Sequence, residues 1–449
     1  FKQKTAYEIP KRDWSSDVCS SDLPITDIER MAMLVHHSMD NGRRVYHIST
    51  HVFDMCEGLN ARQVLATLFH DIVYYQLDGG FPKSAEAMLK RVVRVERDVL
   101  EVRPVEGDKG YTICTGIFNF KAGQVLPLYG GLNEFLSAVV AIRTLEQYLP
   151  LPDIVAIVAC IEATVPFRMA NKEGKEPLEL LAERVASVNK SLGLQTADEE
   201  LTRVVRDAAE LANRDVSSFA EDDPGRFLST TWLLIEESNA PLAAVGIYSI
   251  QEYRGALSRM EKFLSSLNPE SIFHAYKGMP DDARYATLRA NARKNVHFAS
   301  RYLGLKITSI ALVEALAVAT GGDCPVSMLL GDIRSPYGKP DRVEDFLPPP
   351  PADESGLDSQ MLDVLERGRS KESSSDLTVS PLTSFVYRSM GAAGSTQALE
   401  QARKMFAGEL TPRDFLSSLD RGLVLALTEA CARIAVSRRQ GLLTLAQSL

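Results

Sequence analysis

The sequence lacks most of the features that announce a chemistry. It has no GxSxG nucleophile elbow and no GxGxxG fingerprint. The glycine-rich run TGGDCP at Thr320–Pro325 is without the GxxxxGK[ST] spacing that cradles nucleotide phosphates, so it reads as a turn. No CxxC pair occurs. Cys56, Cys114, Cys160, Cys324 and Cys431 are far apart, and a reduced cytoplasmic protein with core cysteines is the simple reading. No basic block suggests a nucleic-acid groove, and a net charge of −9 argues against polyanion binding. No unbroken apolar run reaches about 18 residues, so no membrane span is expected. No internal repeat signals a solenoid.

What is present begins with an anomaly. The opening FKQKTAYEIPKRDWSSDVCSSDL has no repeating apolar face and no signal-peptide layout. It resembles the translation of a sequencing-library adapter, FKQKTAYEI at the flow-cell end and RDWSSDVCSSDL at the read-primer end. Phe1–Leu23 is therefore set aside from fold and function, with genuine sequence expected from near Pro24. The rest is ordinary for a globular protein, at 45% hydrophobic and 24% charged residues. Its length suits about two or three domains.

Apolar spacing predicts a mainly all-α chain. Helices are expected over Ile25–His37, Tyr46–Leu59, Leu132–Tyr148, Asp153–Glu162, Pro177–Leu192, Glu199–Phe219, Ser238–Ser266 and Asp281–Leu303. Gln63–Tyr75 is apolar almost all round, which predicts a buried helix. VVRVERDVLEV and KGYTICTGIFNF are rich in β-branched and aromatic residues, so a small β insertion is expected near 91–120. The proline run Pro348–Pro351 and the polar RSKESSSD predict a linker over 337–378. The expected order is then a first domain over 24–237, a helical region over 238–336, the linker, and a C-terminal helical region over 379–449.

The histidines carry the functional signal. Five of seven lie between His36 and His70. YHISTH sets His47 and His51 four residues apart, one turn on one helical face. LATLFHDIVYY then places His70 beside Asp71 in an apolar helix. A carboxylate is expensive to bury without a compensating partner, and a cation would supply one. Imidazole with carboxylate suits zinc, iron, manganese and related divalent ions. His36 and His37 read as ordinary helix residues.

The run RRVYHISTHV…LATLFHDIVYY resembles the HD superfamily of metal-dependent phosphohydrolases, in the branch with YHxxxH followed by FHDxVY. The likeness covers 25–75 well and extends more loosely to about 219. It implies an HD-domain helical bundle that ligates one or two metals through a first histidine, the HD pair and a distant aspartate. Carried over, His70 and Asp71 are ligands and the catalytic pair. The first histidine is His47 or His51. His51 is favoured because it lies nearer the stripe of Ile48, Val52, Met55 and Leu59, which leaves His47 to orient a ligand or face substrate. For the distant carboxylate, Asp215 falls at the centre of the stripe formed by Leu201, Val204, Val205, Ala208, Leu211, Ala212 and Phe219, whereas Asp207 lies off it. The context ANRDV also looks like the family's terminal aspartate motif. The gap from Asp71 is longer than in compact members, and the insertion accounts for part of it. Glu162, in CIEATVPFR, is the rival, and it or Arg168 is placed facing substrate.

The resemblance implies hydrolysis of a nucleotide or other phosphate ester by water activated on a divalent metal, whether manganese, iron, zinc, magnesium or nickel. Arg43, Arg44 and Arg168 are candidates to meet phosphoryl charge. Lys277 and His274 read as an exposed loop pair. The alternative is an HD-fold metal-binding protein with a binding or regulatory role. The expected partner is a small phosphorylated substrate, with neither nucleic acid nor membrane. The C-terminal half, without recognised chemistry, favours an interaction or homo-oligomerisation role.

Overall fold

A computed structural model describes residues 23–97, 99–332, 340–352, 354–371, 373 and 375–448. Nearly all of the opening 1–23, set aside on sequence, lies outside them. The chain divides into two compact units. One comprises the described residues up to Asn41, His47–Glu162 and Glu183–Ala208; the other comprises Gly42–Tyr46, Ala163–Ala182 and the chain from Ala209 onward. The units interleave along the sequence rather than meeting at residue 237, and neither is bounded by the expected linker.

The first unit is helical with one hairpin. Its helices are α1 (Ile25–Met39), α2 (Ser49–Met55), α3 (Ala61–Phe69), α4 (Tyr75–Asp78) and α5 (Glu86–Val92). The strands β1 (Val93–Glu96) and β2 (Val99–Val102) follow, then α6 (Lys109–Phe118), α7 (Leu132–Leu145) and α8 (Leu151–Ala163). The helices α9 (Pro177–Ser191) and α10 (Asp198–Asp215) come next, this unit taking α9 from Glu183 and α10 as far as Ala208. The strands pair antiparallel with Val93 opposite Val102 and Glu96 opposite Val99. VVRVERDVLEV thus supplies the β insertion, but KGYTICTGIFNF is α6. Asp108 overrides its β-branched composition by accepting from the Tyr111 N–H, and Ile113, Cys114, Ile117 and Phe118 are buried. The core of this unit is α7, buried from Phe135 to Ile142 and packed against α3, α5 and α6.

The second unit holds α11 (Pro224–Glu237), α12 (Ile250–Ser266), α13 (Asp282–Ala319), α14 (Val326–Leu330), α15 (Ser359–Arg367), α16 (Pro381–Phe406), α17 (Pro412–Ser417), α18 (Arg421–Ile434) and α19 (Arg439–Ser448). Their axis is α13, packed by α11, α12, α16 and α17. It outruns the helix expected to end at Leu303, reaching Ala319. An 18-residue window of α13 is long and apolar enough to cross a membrane, a stretch the search for unbroken apolar runs missed because Lys306 and Glu314 interrupt it. That window is 78% buried within the protein. Lys306 lies 3.0 Å from Asp376, and Glu314 lies 3.0 Å from Arg254.

The expected linker is corrected too. Its start at Tyr337 lies outside the described residues. Beyond it, α15 buries Met361, Leu362, Val364 and Leu365, and Arg369 and Ser375 are buried. Two described serines of RSKESSSD bind carboxylate and backbone: Ser375 donates from both its N–H and its hydroxyl to Glu236, and Ser373 donates to the Asp376 carbonyl.

Candidate metal centre

The HD pair is set by the end of α3. Asn60 accepts from the Gln63 N–H while Gln63 accepts from the Asn60 N–H, a reciprocal cap that starts the helix. The expected continuous helix to Tyr75 stops early: α3 ends at Phe69, His70 is its C-cap, and Asp71 lies in the turn beyond. That turn is anchored to α7. The Ser137 hydroxyl accepts from the Val73 N–H at 3.1 Å, and Asn133 accepts from the Tyr75 N–H at 3.0 Å.

His70 is 1% exposed. Its Nδ1 lies 2.7 Å from the Thr67 carbonyl, which can only accept, so Nδ1 carries the proton and Nε2 presents its lone pair. Nε2 lies 3.0 Å from Asp71 Oδ2. Burial pushes the Asp71 carboxyl up, but the imidazoles of His70, His47 and His51 outweigh it and hold the group far below the usual carboxylate range.

The other histidines sit at the start of α2. The expected helix from Tyr46 begins only at Ser49, so His47 precedes it and His51 lies within it. The His47 ring stands edge-on to Tyr74 at 5.1 Å and to His51 at 6.2 Å, and His51 is 6.2 Å from His70 between ring centroids. Asp215 is the last residue of α10.

Each of His51, His70, Asp71 and Asp215 offers one ligand atom, and these atoms all lie within 4.8 Å of one another. Two donors bonded to one ion at about 2.1 Å are at most ~4.2 Å apart. Tetrahedral neighbours would stand about 3.4 Å apart, so the donors would draw together by up to about 1.4 Å on binding an ion. The donor set of two imidazoles and two carboxylates balances a divalent charge. These residues could therefore hold a metal ion.

No protein-family model, curated protein or solved structure matches this chain.

The remaining expected site residues are not among these four. Glu162 is buried and engaged by Arg184 at 2.5 Å. Asp207 accepts from the Asn60 side chain at 2.9 Å. Arg44 is buried, within the Gly42–Tyr46 segment of the second unit. Arg168 also belongs to that unit and follows Phe167, whose φ of 58° is unusual for a bulky residue. His274 is buried, not exposed as expected: Asn213 brackets its backbone, donating to the carbonyl at 2.7 Å and accepting from the N–H at 2.9 Å. His36 and His37 are exposed at the end of α1. Sequence reasoning missed Tyr74, although the aromatic pair after the HD dipeptide was a visible signal. It also missed the Thr67 carbonyl, for which side-chain identity gives no signal.

Proposed function

We propose that this chain is an HD-type, metal-dependent phosphohydrolase acting on a small phosphate ester or nucleotide. The observation that carries the reading is the convergence of His51, His70, Asp71 and Asp215, drawn from three separate stretches of sequence, to within 4.8 Å of one another. A divalent ion held there would lower the pKa of bound water and polarise a phosphoryl oxygen. The chain's own part is to hold that constellation. Thr67 fixes the His70 tautomer, so that Nε2 points toward Asp71. Asp71 brings a carboxylate beside these histidines and, by the family resemblance, is the one that would bridge two ions. Asp215 supplies the second carboxylate. His47, wedged between Tyr74 and His51, is suited to orient a ligand or to donate to a substrate oxygen. Arg44 and Arg168 are the cations proposed to meet phosphoryl charge. The described cysteines form no disulfide with one another, which suits a reducing compartment such as the cytoplasm.

The test is metal analysis of the purified chain, followed by hydrolysis of a broad phosphate-ester panel with manganese, iron or zinc. The expected result is bound metal and turnover, with both abolished in His70→Ala and Asp71→Ala. Metal without turnover on any ester would replace the hydrolase with a binding or regulatory protein. A chain that takes up no metal would end both readings.

A further inference from the structure

Glu237 closes α11 and is 7% exposed. One oxygen of its carboxylate, Oε2, accepts from two consecutive backbone N–H groups, Val45 at 2.8 Å and Tyr46 at 2.9 Å. In an extended chain, successive N–H groups point to opposite sides. Their convergence on one oxygen requires the backbone to turn there, forming a small anion-holding concavity. Bonds from neutral donors to an ionised acceptor are the stronger kind. The very next residue is His47, and after the N-cap Ile48 comes α2 with His51. No periodicity pointed to Glu237, which stands 191 residues from Tyr46.

The carrier of this carboxylate is rigid. The helix α11 starts with Pro224 at its first position and buries Phe227, Leu228, Trp232 and Ile235. Its neighbouring Glu236 is committed elsewhere, to Ser375. A side chain at the end of a packed helix is a firmer anchor for a bend than the bend's own irregular residues 41–48.

We infer that Glu237 is a positioning residue for the metal centre: by clamping the Val45 and Tyr46 N–H groups, it sets the bend from which His47 emerges and α2 presents His51. This rests on the reading of the histidine–aspartate cluster as a metal site. Glu237 is not one of the four residues that converge on the site. It acts through the backbone, as the partners that orient ligands commonly do, and their loss weakens metal binding by about 10–100-fold.

The experiment titrates the metal-stripped full chain with Co²⁺ alone and reads its visible absorption. Glu237→Ala removes the acceptor and should weaken Co²⁺ binding about tenfold or more, with an altered band. Glu237→Gln keeps an oxygen at the same reach and should restore affinity to near that of the wild type. Glu237→Asp, which withdraws the oxygen by one methylene, should fall between Gln and Ala. If the alanine variant fails to fold, the order Gln above Asp carries the test. A merely structural role would lower the unfolding midpoint of the metal-free variants while leaving the cobalt spectrum of the folded protein unchanged. Wild-type cobalt affinity and spectrum in Glu237→Ala, or in Glu237→Asp where alanine does not fold, would overturn the inference and leave the metal site standing. A glutamine variant as impaired as alanine would overturn it too. A wild-type chain that binds no cobalt would instead remove the metal site itself.

Discussion

His70 and His274 show what burial does to an imidazole with and without company. His70 is buried with Nδ1 donating to the Thr67 carbonyl and its Nε2 lone pair turned toward the Asp71 carboxylate, two acceptors that a cation between them would satisfy. His274 is buried with no hydrogen-bond partner for Nε2 among the described residues. Desolvation, helped by the positive charge of Arg168, pushes its pKa down to about 4. Above the ordinary value of about 6.5, the folded and unfolded chains both hold this ring neutral. Below it, the unfolded ring takes up a proton that the folded ring refuses, so stability is lost as pH falls from about 6.5 toward 4. The loss should reach roughly 3 kcal/mol. Urea denaturation at pH 7.5 and pH 5 should show His274→Gln losing less stability between the two than the wild type. Equal losses would mean that the ring protonates freely in the folded protein.

Elements rest on local signals, and α3 shows both how far those signals reach and where they stop. Asn60→Ala removes one half of its cap and the bond to Asp207. The expected cost is about 1 kcal/mol, within the 0.5–2 kcal/mol typical of such caps, read as a shift in the urea midpoint. Because the cap lies ten residues before His70, metal binding by the folded variant should change little. The apolar texture of Gln63–Tyr75 announced a buried helix but not its end, because the turn after His70 is made by Ser137 and Asn133 of a distant helix. The same limit explains α6, where one aspartate cap and a buried face outweigh β-branched composition. It also explains 337–378, where polar serines read as solvated but find Glu236 and Asp376 to bind. At the candidate site, the YHISTH and FHD runs and the helical stripe of α10 are local, and together with the family resemblance they pointed to His51, His70, Asp71 and Asp215, which lie within 4.8 Å of one another. The partners that orient them come from elsewhere in the chain, and nothing in a single sequence links Glu237 to Tyr46.

On the scale of the whole molecule, the second unit is organised around charges inside its core. Asp376 lies 3.0 Å from Lys306 and 3.2 Å from Arg369, and the Arg369 guanidinium stacks over Trp232 at 3.9 Å. Burial pushes the Asp376 carboxyl up, but Lys306 and Arg369 prevail and hold it below its ordinary value. Removing one member leaves buried charge uncompensated. Asp376→Asn should therefore cost about 3–5 kcal/mol at pH 7, measured by chemical denaturation. An unfolded aspartate titrates near about 3.9, so the stabilisation is complete well above that pH and drains as pH falls below it. The gap between variant and wild type should narrow in acid. A gap that stays constant to pH 3 would show that the carboxylate's charge is not what matters.

The pairing of Lys306 with a residue 70 positions later also has a consequence in time. Synthesis from the N-terminus delivers a long helix with a membrane-length apolar window first and its counter-ion afterwards. For the interval in which the ribosome adds those residues, the nascent chain carries a greasy rod bearing an unanswered ammonium, the state most exposed to chaperones and to mistaken capture by a bilayer. Truncations ending before Asp376 would freeze the chain in that state, so any fragment meant to isolate the metal centre should stop upstream of Asp282 or include Asp376 and the helices that follow.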